Sequence, residues 1–397
     1  MQRVVVVGAS LAGLRAAQAL RKRGFAGTLT LIGEEPHAPY DRPPLSKQLL
    51  SGEWTEDKLF FGARENFDSL ELDFRLGRAA RSLDVRAREV SLDDGARVPF
   101  DGLIIATGAS ARRLRIATEL TGIHTLRTLD DARAIRRELA KKPRLAVVGA
   151  GFIGLEVAAT ARKLGASVSV IEPQARPLLH LLGPLVAEAV HRLHVDRGVR
   201  FHFATTIAAI EGATRVEKLV LADGSSLEAD LVVVGIGVTP ETRWLEGSEV
   251  AISNGVLCDA TCATSVPGIV AAGDVARWPN ALFDETMRIE HWSNAVEQAQ
   301  VAAARLLDGE GARPHLHVPY FWSDQYDVKY QFAGRIAPDD ELVLVHGALD
   351  APQFVALFGR AGVLRGVLTS NRPAQFMRFR KLLSERTPFE VAQRQPV

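Results

Sequence analysis

Val4-Val5-Val6-Val7-Gly8-Ala9-Ser10-Leu11-Ala12-Gly13 and, about a third of the chain later, Leu145-Ala146-Val147-Val148-Gly149-Ala150-Gly151-Phe152-Ile153-Gly154 decide the fold. In each, a β-branched run enters a glycine-rich turn and leaves it in a helical pattern. Such a turn lets the backbone approach a pyrophosphate, which rests on the partial positive charge of the helix N-terminus. Each turn is followed by an acid at the end of a hydrophobic run. Glu34 lies 21 residues beyond Gly13 and Glu172 lies 18 beyond Gly154, where a carboxylate accepts hydrogen bonds from a ribose. Gly149, Gly151 and Gly154 match the pattern in full, whereas Ser10 replaces the middle glycine of the first copy. One such turn alone is also a plain strand-to-helix connection. Two in order, each with its acid, point to two dinucleotide sites, one for a resident redox cofactor and one for a visiting electron donor.

Composition sets the frame. A chain of 397 residues is long enough for about two or three domains with real cores. A formal charge of +1 argues against nucleic acid as the main partner. No apolar stretch reaches the roughly 20 residues that span a bilayer, so no membrane partner is expected. The first strand is predicted to begin at Arg3, so no signal or transit peptide is expected. With Cys258 and Cys262 as its only cysteines, the chain has no disulfide framework, and a cytoplasmic location follows. Two cysteines and ten scattered histidines supply no metal site.

The pattern predicts a helix over 11–23, a Pro-rich loop over 35–46 and short strands closing at 100–107. A second unit follows, with a helix over 154–164 and a strand pair around Ala222-Asp223-Gly224. Leu231-Val232-Val233-Val234-Gly235-Ile236-Gly237 and Gly268-Ile269-Val270-Ala271-Ala272-Gly273-Asp274-Val275-Ala276 read as a return to the first domain, the Gly-Asp pair leading into helical pattern and a long helix over 295–307. From about 311 the rhythm changes to strands over 320–324, 328–333, 342–346 and 354–358 and a basic helix over 373–384. The expected domains are therefore 1–108 with 231–310, then 109–230, then 311–397.

Beyond the turns, Pro39-Tyr40-Asp41-Arg42-Pro43-Pro44-Leu45-Ser46-Lys47, Gly154-Leu155-Glu156, Ala106-Thr107-Gly108, Gly237-Val238-Thr239-Pro240 and Ala272-Gly273-Asp274-Val275 are the most specific strings. Together they resemble the FAD-dependent NADH:ferredoxin reductases of bacterial oxygenase systems, the putidaredoxin reductase and biphenyl dioxygenase reductase type. The likeness runs on through Arg288-Ile289-Glu290-His291-Trp292 and Phe321-Trp322-Ser323-Asp324-Gln325-Tyr326-Asp327. The resemblance implies an α/β fold of two Rossmann-like dinucleotide-binding domains, glutathione-reductase-like, plus a C-terminal α+β domain. The first and third segments of the chain would then bind FAD and the second NAD.

What the resemblance implies can be placed residue by residue. FAD would be met by Gly8, Ala12, Gly13 and Glu34 at its pyrophosphate and adenosine ribose, by Ala80 at the adenine end, and by Arg42, Lys47, Thr107 and Arg127 along its length. Gly273 and Asp274 would hold the ribityl or phosphate region from a helix N-terminus, and Trp292 and Trp322 would border the ring. Gly149, Gly151, Ile153, Gly154, Glu156, Glu172 and Gly237 would serve NAD. Lys47 and Glu156 would meet beside the flavin atom that receives hydride, tuning the site by charge and position rather than by proton abstraction. Glu172 would repel the extra phosphate of NADPH, so NADH is the expected donor, with Arg176 the nearby cation that could answer that phosphate.

Relatives that reduce disulfides carry a cysteine pair just after the Pro-rich loop, and 46–57 here contains none. Electrons would therefore leave the flavin to an external one-electron carrier such as a 2Fe-2S ferredoxin. Arg360, Arg365, Arg372, Arg378, Arg380, Lys381 and Arg386 against Glu385 form a basic stretch suited to an acidic partner. Two other readings use the same domains: a rubredoxin reductase or NADH oxidase, and an NADH-responsive binding protein similar to apoptosis-inducing factor.

Overall fold

The computed structural model describes residues 1–62, 64–116 and 118–396. The chain divides into two compact units. Met1–Asp41, Leu59–Ser110 and Thr239–Tyr320 form the first, and Arg42–Lys58, Ala111–Val238 and Phe321–Val397 form the second.

The first unit is built on a parallel sheet in the order Ile269–Ala271, Gly102–Ile105, Arg3–Val7, Thr28–Gly33, Leu72–Leu76. Its central strand is buried on both faces, which a parallel strand covered above and below requires. Side chains alternate along it, so Val4 and Val6 enter one core and Val5 and Val7 another. In the first core, helix Leu11–Lys22 presents Ala12, Ala16, Ala17 and Leu20 to Ala295, Ala299, Ala302 and Ala303 of helix Trp292–Asp308. Alanines at helical spacing on both faces let the two backbones approach closely. The second core draws Leu83, Val90, Leu92 and Val98 from the antiparallel strands Ala80–Asp84, Glu89–Leu92 and Arg97–Pro99, with Phe100 and Trp244.

The second unit repeats the plan around the second turn. Its parallel sheet runs Arg200–Phe203, Ser167–Glu172, Arg144–Val148, Leu231–Val234, Ile123–Thr125. The strand Leu231–Val234, expected to begin the return to the first domain, pairs instead with Arg144–Val148, and the chain leaves this unit only after Val238. A buried four-residue apolar run fits either sheet by pattern, so register had to be seen. Arg42–Lys58 also differs from expectation, since it belongs to this unit through Ser46, whose carbonyl accepts from Thr160 Oγ1 at 2.9 Å.

The C-terminal sheet has the order Tyr320–Gln325, Val328–Gly334, Val363–Ser370, Phe354–Arg360, Glu341–Gly347, backed by helix Pro373–Ser384. Its middle strand, Val363–Ser370, escaped the sequence reading because Arg365-Gly366 breaks the apolar run. Gly366 is required there: a Cβ would stand 2.4 Å from the Ile336 side chain.

Candidate active site

In the first unit the turn is held by backbone geometry. Gly8 has φ +120°, and a side chain on it would fall 2.0 Å from the Ala106 carbonyl; one on Gly13 would fall 1.8 Å from the Gly8 carbonyl. Gly273, at φ +80°, brings its own loop against the buried Ala12, where a Cβ would lie 2.9 Å from the alanine methyl. Glu34 is exposed just beyond strand Thr28–Gly33, and half-buried Ala80 opens strand Ala80–Asp84. Thr107 Oγ1 donates to the Glu241 carbonyl at 2.7 Å, and the Glu241 amide donates to the Gly108 carbonyl at 3.0 Å, a clamp that no sequence motif announced. Trp292 opens its helix and donates from Nε1 to Asp41 Oδ1 at 2.9 Å. Asp274 corrects an expectation: no helix follows it, because the chain turns directly into strand Ala276–Asn280. Gly-Asp opens either a helix or a tight turn, and only the residues beyond decide.

In the second unit, Gly149 at φ +97° and Gly154 serve the protein's own packing, since side chains there would meet the Gly235 carbonyl at 2.5 Å and the Gly149 carbonyl at 2.2 Å. Gly151 is different. Its φ is −76°, which any residue adopts, and among the described residues a Cβ on it would meet nothing within 4 Å. Space that the fold leaves open at the middle of the turn is space for a pyrophosphate. Helices Leu11–Lys22 and Phe152–Lys163 both begin without a side-chain cap or an acid in the first turn, whereas Thr128 and Asp131 close a complete capping box on helix Leu129–Leu139. Their first amides keep their positive field for an anion. Both turns thus fit dinucleotides.

Around the second turn, Glu172 is buried and accepts from the Ala150 amide at 2.7 Å and the Gln174 amide at 2.9 Å. Arg176 is turned away to Glu188, 2.6 Å from Nε to Oε2. Ile153 is exposed on the first helical turn and Ile236 in the strand-exit loop; Gly237 accepts from the Arg112 amide at 3.0 Å. Arg42 Nη1 donates to the Arg127 carbonyl at 2.6 Å, so these two expected residues lie together. Trp322 is half-buried in strand Tyr320–Gln325.

Lys47 and Glu156 are brought together at 3.0 Å, with 8% and 4% of their surfaces exposed. Lys47 follows the short 3-10 turn Pro43–Ser46, where two prolines fix the entry, and Glu156 sits one turn before Thr160 on the same helix face. Glu156 Oε1 also accepts from Ser323 Oγ at 2.7 Å, and Oε2 accepts from Ser46 Oγ at 2.5 Å. Lys47 Nζ has Asp324 as a second, longer partner at 3.9 Å. A buried ion pair is tolerated only when its remaining valences are filled, and three donors on one carboxylate do that. Sequence reasoning named Lys47 and Glu156 but missed Ser46 and Ser323, although both stood within its quoted strings.

Helix Pro373–Ser384 buries Phe376, Phe379 and Leu383 and exposes Met377, Arg378 and Lys381. Arg360 pairs with Asp340, which withdraws it from the basic stretch. Cys262 is fully buried, and burial pushes the Cys258 thiol up to about 12, which leaves both as packing residues. Among the described residues, no helix is long and apolar enough to cross a membrane.

Residues 2–299 match the pyridine nucleotide-disulphide oxidoreductase family and residues 320–395 the reductase C-terminal family. The chain is 41% identical to the ferredoxin–NAD(+) reductase component of the anthranilate 1,2-dioxygenase system of Burkholderia cepacia, over 83% of this chain and 81% of that one. It is 37% identical to rhodocoxin reductase of Rhodococcus erythropolis, over 98% and 91%. Its fold superposes on the crystal structure of the covalent putidaredoxin reductase–putidaredoxin complex with a TM-score of 0.92 at 34% identity, over 98% of this chain and 94% of that one. On the two turns, the buried Lys47–Glu156 pair and these matches, the chain belongs to the pyridine nucleotide-disulphide oxidoreductase family, among its ferredoxin–NAD(+) reductases, and is an oxidoreductase.

Proposed function

We propose that the protein passes electrons from NADH through FAD to a 2Fe-2S ferredoxin that supplies a monooxygenase or dioxygenase. The observation that carries this reading is the buried Lys47–Glu156 pair in a chain with two uncapped glycine-rich turns and no cysteine in 46–57. FAD, when bound, takes two electrons as hydride and releases them one at a time. We assign Gly8, Ala12, Gly13, Glu34, Arg42, Lys47, Ala80, Thr107, Arg127, Gly273, Asp274, Trp292 and Trp322 to FAD, and Gly149, Gly151, Ile153, Gly154, Glu156, Glu172 and Gly237 to NADH. Residues 1–108 with the segment that returns after Val238 form the FAD-binding domain in this reading, and the second turn's sheet the NAD-binding one. The location is cytoplasmic.

Lys47 would supply positive charge beside a bound flavin, and Glu156, held by three donors, fixes where that charge stands. Glu172 carries a fixed carboxylate where a ribose phosphate of NADPH would lie, and Arg176 is occupied by Glu188. Steady-state assays with paired donors and acceptors test the reading. NADH should exceed NADPH in kcat/KM by about 100-fold, the cost of roughly two unfavourable factors of ten, and a 2Fe-2S ferredoxin should outpace rubredoxin and oxygen. Equal use of both nucleotides, or faster turnover with oxygen than with any ferredoxin, would contradict it.

A further inference from the structure

Glu156 is the inner end of a longer polar run within the second unit. Ser323 Oγ donates to it; Gln325 Nε2 lies 3.0 Å from Ser323 Oγ; His194 Nε2 lies 2.9 Å from Gln325 Oε1; and the Tyr326 hydroxyl lies 3.3 Å from His194 Nδ1. Ser323, Gln325 and His194 are fully buried. The Glu156 end sets the direction. A carboxylate only accepts, so Ser323 spends its one hydrogen on Glu156 and must accept from its other neighbour. That neighbour is therefore the amide nitrogen of Gln325, which leaves the amide oxygen facing His194. His194 then carries its hydrogen on Nε2, and its Nδ1 can only accept, so Tyr326 donates. Burial lowers His194 to about 4, in keeping with a neutral ring. At the outer end, Tyr326 lines an open cleft with Arg162, Lys163, Arg197 and Asp327, and the Arg197 guanidinium sits 4.7 Å from its ring centre.

We propose that Tyr326, His194, Gln325 and Ser323 form a one-way hydrogen-bond chain that positions the Glu156 carboxylate, and through it the Lys47 ammonium, for the hydride step. The inference rests on the NADH-to-flavin reading above. Each link polarises the next toward the carboxylate. Ser323 and Gln325 stand two apart on one strand and so share a face, which is why one strand can carry two successive links. These four are positioning residues, since none of them touches the reacting atoms.

Two measurements on the full-length, flavin-loaded protein test this. Imidazole nitrogen NMR at neutral pH should show His194 as the neutral Nε2–H tautomer, with its signals displaced by Glu156→Gln at the far end of the chain. An Nδ1–H tautomer, an imidazolium, or signals indifferent to Glu156→Gln would overturn the proposal. Stopped-flow reduction by NADH should slow about tenfold in Ser323→Ala and about twofold in Tyr326→Phe, with Gln325→Leu between them and NADH affinity held within about twofold. A loss that follows position in the chain, rather than burial, is the signature, and wild-type rates in Ser323→Ala would end the proposal. Should Gln325→Leu fail to fold, Tyr326→Phe at the outer end and the NMR result still decide. If the unaltered protein is not reduced by NADH at all, the functional reading fails, while the tautomer result still settles the chain.

Discussion

Glu156 shows how much a single side chain can be asked to hold: it faces an ammonium and two hydroxyls while almost sealed from water. Removing one partner of such a pair strands the other charge, at about 3–5 kcal/mol, whereas replacing both by apolar groups of similar size is close to neutral. Glu156→Ala should therefore lower the unfolding free energy by about 3 kcal/mol. The double variant Lys47→Met, Glu156→Leu strands neither charge of the pair and leaves only the Ser46 and Ser323 hydroxyls without their acceptor, so it should lose less stability than Glu156→Ala yet accept hydride at least about 100-fold more slowly. Thermal unfolding and rapid-mixing kinetics read the two effects separately, and a double variant that still reacts at the parent rate would show that the pair serves only the fold. Lys47 and Glu156 were legible in the sequence because each ends a specific string. His194 was not, for nothing in a helical pattern says which polar group a buried histidine will face across 131 positions.

At the scale of elements, the glycines divide by task. Gly154 lets helix Phe152–Lys163 close on its strand, and Gly151 leaves a gap that the protein itself does not fill. Gly154→Ala is expected to destabilise by more than about 1 kcal/mol, as overpacking against backbone does. Gly151→Ala should leave the melting temperature unchanged and raise the KM for NADH. A Gly151→Ala protein with parental KM would show that no pyrophosphate approaches there. The parallel strands were legible because a β-branched run before a glycine turn has few other uses. The strand Val363–Ser370 was not, because its Arg-Gly break imitates a turn, and the loop after Asp274 was not, because the same dipeptide serves helices and hairpins.

Across the whole molecule, two buried histidines tie stability to acidity. His194 and His315 are each lowered from 6.5 to about 4, chiefly by burial. Each binds its proton more weakly folded than unfolded, so its contribution is complete above 6.5 and is lost as the pH falls from there toward 4, by about 3 kcal/mol apiece. Denaturant titrations across that window should show stability falling with acidity, and His315→Gln should make the slope shallower. Equal slopes in parent and variant would contradict the assignment. The two-sheet plan itself was legible from the paired turns, but the point where the chain changes sheets was not, since Leu231–Val234 carries a pattern that suits either.

In the proposed function one turn holds a resident flavin and the other a visiting nicotinamide, with Lys47 and Glu156 at the point of transfer. An anaerobic titration of the purified protein with NADH, followed by its visible spectrum, tests it most directly. The expected result is a yellow protein that bleaches at about one NADH per flavin and develops a long-wavelength charge-transfer band. A colourless protein, or a bound flavin that NADH leaves oxidised, would contradict it.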